Sequence, residues 1–124
     1  MSLEERRRVK IEPILDTIKK MLGISPIDTS FDTDIMVHIN TANMVAGQLG
    51  ITECENKPYL QEYDTWDDLV SGNRDLECLK GYFYVSVRLD FDPPNSSSLM
   101  ESLKSRKSEF EWRLKNFIAG KEVL

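Results

Sequence analysis

Tyr82-Phe83-Tyr84-Val85-Ser86-Val87-Arg88-Leu89-Asp90-Phe91-Asp92-Pro93-Pro94 is the stretch on which the fold turns. Phe83, Val85, Val87, Leu89 and Phe91 alternate with Tyr82, Tyr84, Ser86, Arg88 and Asp90. That is a period of two in strand-favouring residues. Wound as a helix, the same apolar positions spread almost all round, the pattern of a central, buried helix. Periodicity alone favours the strand. A strand needs a partner, however, and no other segment of this chain alternates comparably. Pro93-Pro94 ends either element, because proline lacks the N–H and restricts the residue before it.

Helical spacing is plain on both sides of this stretch. Upstream, Ile14, Leu15, Ile18, Met21 and Leu22 recur at helical intervals, with Pro13 suited to the first turn and Gly23 to the end. After a loop over 24–31, Asp32 or Thr33 is expected to cap a second helix. Its inner arc is Ile35, Ile39, Ala42, Ala46 and Leu49, and Gly50 closes it. His38 sits at the edge of that arc, where half-buried packing is the ordinary role of a lone histidine. Residues 51–64 form a long polar connection containing Pro58. Thr65 then caps a short helix through Val70, with Asp67 and Asp68 at its positive end and Gly72-Asn73 as its stop. Downstream, Ser98 and Glu101 match a capping box. Leu99, Leu103, Phe110, Leu114 and Phe117 make one stripe, flanked by Met100 and Ile118, while Trp112 lies on the far side near Ser105 and Ser108.

A chain of 124 residues is expected to be one domain, 1–124, with 1–11 as a flexible arm. It is large enough to bury a core without metals or disulfides. No apolar run approaches the ~18 residues of a membrane span, so no membrane association is expected. Glu4-Glu5-Arg6-Arg7-Arg8-Val9-Lys10 has no apolar stretch after it and does not read as a signal peptide. Cys54 and Cys78 read as reduced thiols rather than a disulfide framework. The net charge of −5 is uneven. Residues 51–95 hold four basic and ten acidic side chains, whereas 96–124 hold six basic and four acidic. An acidic middle argues against gripping a phosphate backbone. Arg6-Arg7-Arg8, offset by Glu4 and Glu5, reads as a solvated end.

Catalytic signatures are missing. With one histidine, at the edge of a packing arc, neither a His-based metal site nor a Ser–His triad is expected. No phosphate-binding glycine loop, Cys-x-x-Cys pair or nucleophile elbow occurs. Glu62, Asp64, Asp67 and Asp68 lack the central glycine and terminal glutamate of a calcium loop. Helix capping and solvated surface account for them. Glu109 and Glu111 diverge on a helix and cannot converge on one substrate. No catalytic residue, cofactor or metal ligand is therefore expected.

In order and spacing, several blocks resemble the small head–tail connector, or neck, proteins of long-tailed bacteriophages and prophages. These are the Ile14 to Gly23 helix, Phe31-Asp32-Thr33-Asp34-Ile35, Thr65-Trp66, the Arg88 to Pro94 block, and Phe110-Glu111-Trp112-Arg113-Leu114. The resemblance covers roughly residues 12 to 118. The 53–63 connection and Tyr82-Phe83-Tyr84 are less typical of that family. The resemblance implies an all-α bundle of four to five helices with residues 75–92 as its central helix, and it decides the opening conflict for helix over strand. It also implies a structural role: a homo-oligomeric ring on the portal protein that extends the DNA channel and gives the tail its docking surface. The implied partners are the chain itself, the portal and tail-side connector proteins. DNA passes through without sequence-specific binding. The implied location is the virion neck, after a period in the bacterial host cytoplasm.

The candidate interface residues are Trp112 with Ser105 and Ser108, and Tyr59, Leu60 and Tyr63 in the long connection. The plainer alternatives are that Trp112 is core in a helix packed on two sides, and that the loop aromatics fold back on the core. Two other functions fit the chain less well. A small all-α nucleotide hydrolase needs a Glu-x-x-Glu pair facing a second acidic helix, which this chain does not supply cleanly. A helical DNA-binding regulator needs a basic recognition helix, but Glu109 and Glu111 interrupt the last one.

Overall fold

The computed structural model describes residues 12–52, 59–69 and 76–116 in full, and the helical backbone on to Val123. Five helices lie among the described residues: α1 (Ile14–Leu22), α2 (Asp32–Gln48), α3 (Trp66–Leu69), α4 (Leu76–Phe91) and α5 (Ser97–Val123). The opening stretch is helical, and it is central: α1, α2 and α5 all pack on α4. Tyr82 and Phe83 are both 0% exposed. A half-buried strand would send two successive side chains to opposite faces, so the alternation was incidental to a helix covered nearly all round. Trp66 of α3 meets Phe83 edge-on, with ring centroids 5.5 Å apart.

Each helix end has a local cause. Gly23 and Gly50 take φ of +79° and +76°, the left-handed region that glycine enters without steric cost. At each, the next amide reaches back to the helix: Ile24 N–H to Lys19 O at 2.9 Å and Ile51 N–H to Ala46 O at 2.8 Å. Ile51 follows its amide into the core at 2% exposure, the apolar contact typical of this motif. Pro13 sits one position before α1 rather than inside its first turn. There it pairs with Thr65 in an isolated antiparallel bridge, and Ile14 N–H donates to Asp64 O at 2.9 Å. Trp66 Nε1–H donates to Thr17 Oγ1 at 2.9 Å, so α3 is pinned to α1 by backbone and side chain together.

Two expected caps move. Neither Asp32 nor Thr33 caps α2; Phe31 occupies that position without a side-chain bond. The Asp32 carboxylate is instead drawn to Lys19 Nζ at 2.9 Å. On α5, Ser96 is the cap, not Ser98. Leu99 N–H reaches Ser96 Oγ at 3.4 Å and Met100 N–H reaches Ser96 O at 3.0 Å. The Ser98 hydroxyl lies 2.9 Å from that of Ser96. Thr65 does begin α3, with its N–H and Oγ1–H both donating to Asp68 Oδ2, at 2.9 and 3.2 Å.

The α4–α5 contact depends on Gly81. A Cβ there would lie 2.7 Å from Phe110 Cζ, so the absent side chain lets the ring seat against the α4 backbone. Leu114, one turn on, is buried. The expected α5 stripe is covered unevenly: Leu99, on the same stripe, is 56% exposed, whereas Phe110 and Leu114 pack on the core. Met21 of α1 is 41% exposed, whereas Ile14, Leu15 and Ile18 are core. His38 is half-buried, its ring 6.1 Å from that of Phe91. The expectations for 1–11, for Cys54, for the Gly72-Asn73 stop and for Phe117 and Ile118 lie outside the described residues.

Candidate assembly surfaces

The loop between α1 and α2 is built around a lysine that faces inward. Lys19 lies four residues after Leu15 and three before Leu22, on the buried flank of α1, and is 3% exposed. Its Nζ donates to Asp28 O at 2.7 Å and to Pro26 O at 3.4 Å, and the charge is met by Asp32 Oδ1 at 2.9 Å. A buried ammonium is costly unless it is paired and hydrogen-bonded, so this lysine commits the loop to one path. A turn adds to it, Asp28 N–H to Ser25 O at 3.0 Å. The Ser30 hydroxyl and N–H both donate to the Asp28 carboxylate. Those bonds, the hydroxyl's first, hold the Asp28 pKa below its ordinary value. Ile27 is the side chain left outside: 91% exposed at the turn of an otherwise pinned loop. Sequence reasoning passed over Ile27, although a lysine at core spacing ahead of a proline-containing loop was a usable signal.

The long connection divides its three candidates. Tyr59 and Tyr63 are exposed, at 64% and 74%. Leu60 is not a surface residue: it is 1% exposed, drawn in because Asn40 satisfies its backbone. Leu60 N–H donates to Asn40 Oδ1 at 2.7 Å, and Asn40 Nδ2 donates to Leu60 O at 3.0 Å. Asp64 is also buried, its carboxylate accepting the Gln61 N–H at 2.6 Å. Among the described residues no group of three His, Cys, Asp or Glu side chains is placed to hold a metal ion.

On α5, Trp112 is 67% exposed. Ser105 and Ser108 are exposed on the same side of the helix. Asn116 Nδ2 donates to Trp112 O at 2.8 Å, and Arg113 pairs with Glu109 at 2.7 Å. Around the helix from this face lies an open groove of ≈ 530 Å³ between α4 and α5. Leu89 and Asp90 of α4 line it, with Met100, Lys104, Lys107, Ser108 and Glu111 of α5, so it adjoins the Trp112 face at Ser108. Glu111 also accepts from Tyr82 Oη at 3.4 Å. Burial, then the Glu111 charge, pushes the Tyr82 pKa up to about 12. These surfaces present apolar knobs and mixed charge, suited to contact rather than bond-making.

A family model described as phage connector protein matches residues 14–120. The chain belongs to the phage connector protein family. The match runs from the first residue of α1 into the last turn of α5, so it takes in the whole described bundle. The head–tail connector resemblance read from the sequence blocks is thus borne out, as is the all-α bundle. No curated protein and no solved structure matches the chain. The connector family is structural rather than enzymatic. The family's role points to interaction with other phage structural proteins. Among its described residues, no helix is long and apolar enough to cross a membrane.

Proposed function

We propose that this connector assembles as a closed ring on the portal protein, extends the DNA channel and offers the tail its docking surface. The family match over residues 14–120 carries the reading. The uneven charge supports it. Exposed Glu62, Asp67, Asp68 and Asp90 belong to the acidic middle of the chain, and a strongly cationic lumen would retain DNA rather than let it slide. Like charge also opposes self-association in dilute solution. The chain is therefore monomeric or weakly associated alone, and the ring forms on its template, where weak contacts add around a closed cycle. Trp112 with Ser105 and Ser108, and Tyr59 with Tyr63, are contact surfaces for the portal, the tail-side connector proteins or the next subunit. The role is structural, with no catalytic step. The protein joins the virion neck from the host cytoplasm.

The test mixes purified protein with portal-bearing, DNA-filled heads that lack tails. Stoichiometric, salt-sensitive binding that restores tail attachment supports the assignment. Protein that ignores such heads, with joined particles still produced after gene disruption, overturns it.

A further inference from the structure

We propose that in the ring Ile27 of one copy seats in the α4–α5 groove of its neighbour, with Asp28 beside Lys104 or Lys107. This rests on the ring reading and specifies the contact that would hold it. A ring built from one chain needs a heterologous contact: two different patches that fit each other, so that each copy offers one and receives the other. The two patches must lie on opposite flanks of the subunit at similar height, or the contacts would not close.

The end of the loop and the groove bear on that condition. The loop ends at Phe31, whose ring packs edge-on against Phe91, the last residue of α4, at 5.7 Å. Leu89, two residues before it, lines the groove. Two residues along a helix is a turn of about 200°. The end of the loop at Phe31 and the groove therefore lie on different flanks of the C-terminal end of α4, one beside α2 and the other beside α5.

The chemistry also fits. Half-buried Leu89 and Met100 offer apolar contact, and an isoleucine is small for a groove of ≈ 530 Å³. Lys104 and Lys107 stand beside Asp90 and Glu111, so an approaching Asp28 meets two cations in a lining of mixed sign. The knob is prepared for the contact. Lys19, Ser25 and Ser30 hold the loop before any partner arrives, and a side chain already fixed in place loses little freedom on docking. No other large hydrophobic side chain among the described residues matches the 91% exposure of Ile27.

Cross-linking on the tailless heads tests the pairing. A chain carrying both Ile27→Cys and Met100→Cys, loaded and then oxidised, should give a ladder of covalently joined copies. The wild type and either single variant should give none. Ile27→Asp should weaken loading on the heads about tenfold in apparent affinity, with melting unchanged because the side chain is outside the core. A double variant that loads normally without a ladder overturns the pairing and leaves the ring standing. So does an Ile27→Asp protein that loads like wild type. Dimers from Ile27→Cys alone would indicate a symmetric contact and also refute it. Wild-type protein that does not load at all refutes the ring reading itself.

Discussion

Replacing Gly81 with alanine sets two opposite effects against each other, and the structure decides the sign. In a helix interior, alanine is better than glycine by about 0.5–1 kcal/mol, because it restricts the unfolded chain and shields the backbone. Against that, the new Cβ would meet Phe110 Cζ at 2.7 Å, with Cε2 and Cε1 at 3.1 and 3.2 Å. Ordinary contact begins at 3.4 Å, so a stiff ring lodged between two helices must move away by most of an ångström. Overpacking of this kind costs about 1–3 kcal/mol. The expected net effect of Gly81→Ala is a loss of roughly 0.5–2 kcal/mol, or about 2–8 °C in melting temperature for a domain of this size. With Phe110→Leu in place the ring is gone. The same Gly81→Ala change should then stabilise by about 0.5–1 kcal/mol. Denaturant melts of the four proteins in this double-mutant cycle give the coupling directly. If Gly81→Ala stabilises the wild-type background, or acts alike in both, the α4–α5 contact does not depend on that missing side chain.

Three further outcomes are expected. Lys19→Met should cost about 3–5 kcal/mol in urea melts, because it leaves the Asp32 carboxylate and the Asp28 and Pro26 carbonyls without their buried cation; a loss under ~0.5 kcal/mol would mean the loop is held by something else. Stability should fall as pH rises from about 10 toward about 12, since Tyr82 keeps its proton in the fold to about 12 while the unfolded tyrosine loses it near 10.0. A Tyr82→Phe protein that loses stability over that window as steeply as wild type would contradict this. Trp112→Ala should leave thermal melting nearly unchanged yet weaken loading on tailless heads by ~2 kcal/mol or more, and a large drop in monomer stability would place the indole in the core instead.

The helices were legible wherever the local signal was one-sided. Ile35, Ile39, Ala42 and Ala46 announced the inner face of α2, and Gly23 and Gly50 announced where helices end, because a left-handed residue is a local demand that glycine meets by itself. The central stretch was not legible in this way. A helix covered on nearly every side has no polar face to mark its period, so Tyr82 to Phe91 carried an accidental alternation. The family resemblance, not the spacing, chose between helix and strand. The contact surfaces divided for a related reason. Trp112 lay opposite the apolar stripe, and its exposure follows from that position. Leu60 and Tyr59 are adjacent and both apolar in part; only the Asn40 side chain, twenty residues earlier, sends one inward and leaves the other out. Likewise Asp32 resembled a helix cap until Lys19 was found within reach, and Ile27 became a candidate only when the loop around it proved to be pinned. Local chemistry was enough for the periodicity of α1 and α2 and for the helix ends closed by glycine. Which side chain meets which partner across the bundle depended on pairs distant in sequence, whose energies exist only once the helices have packed.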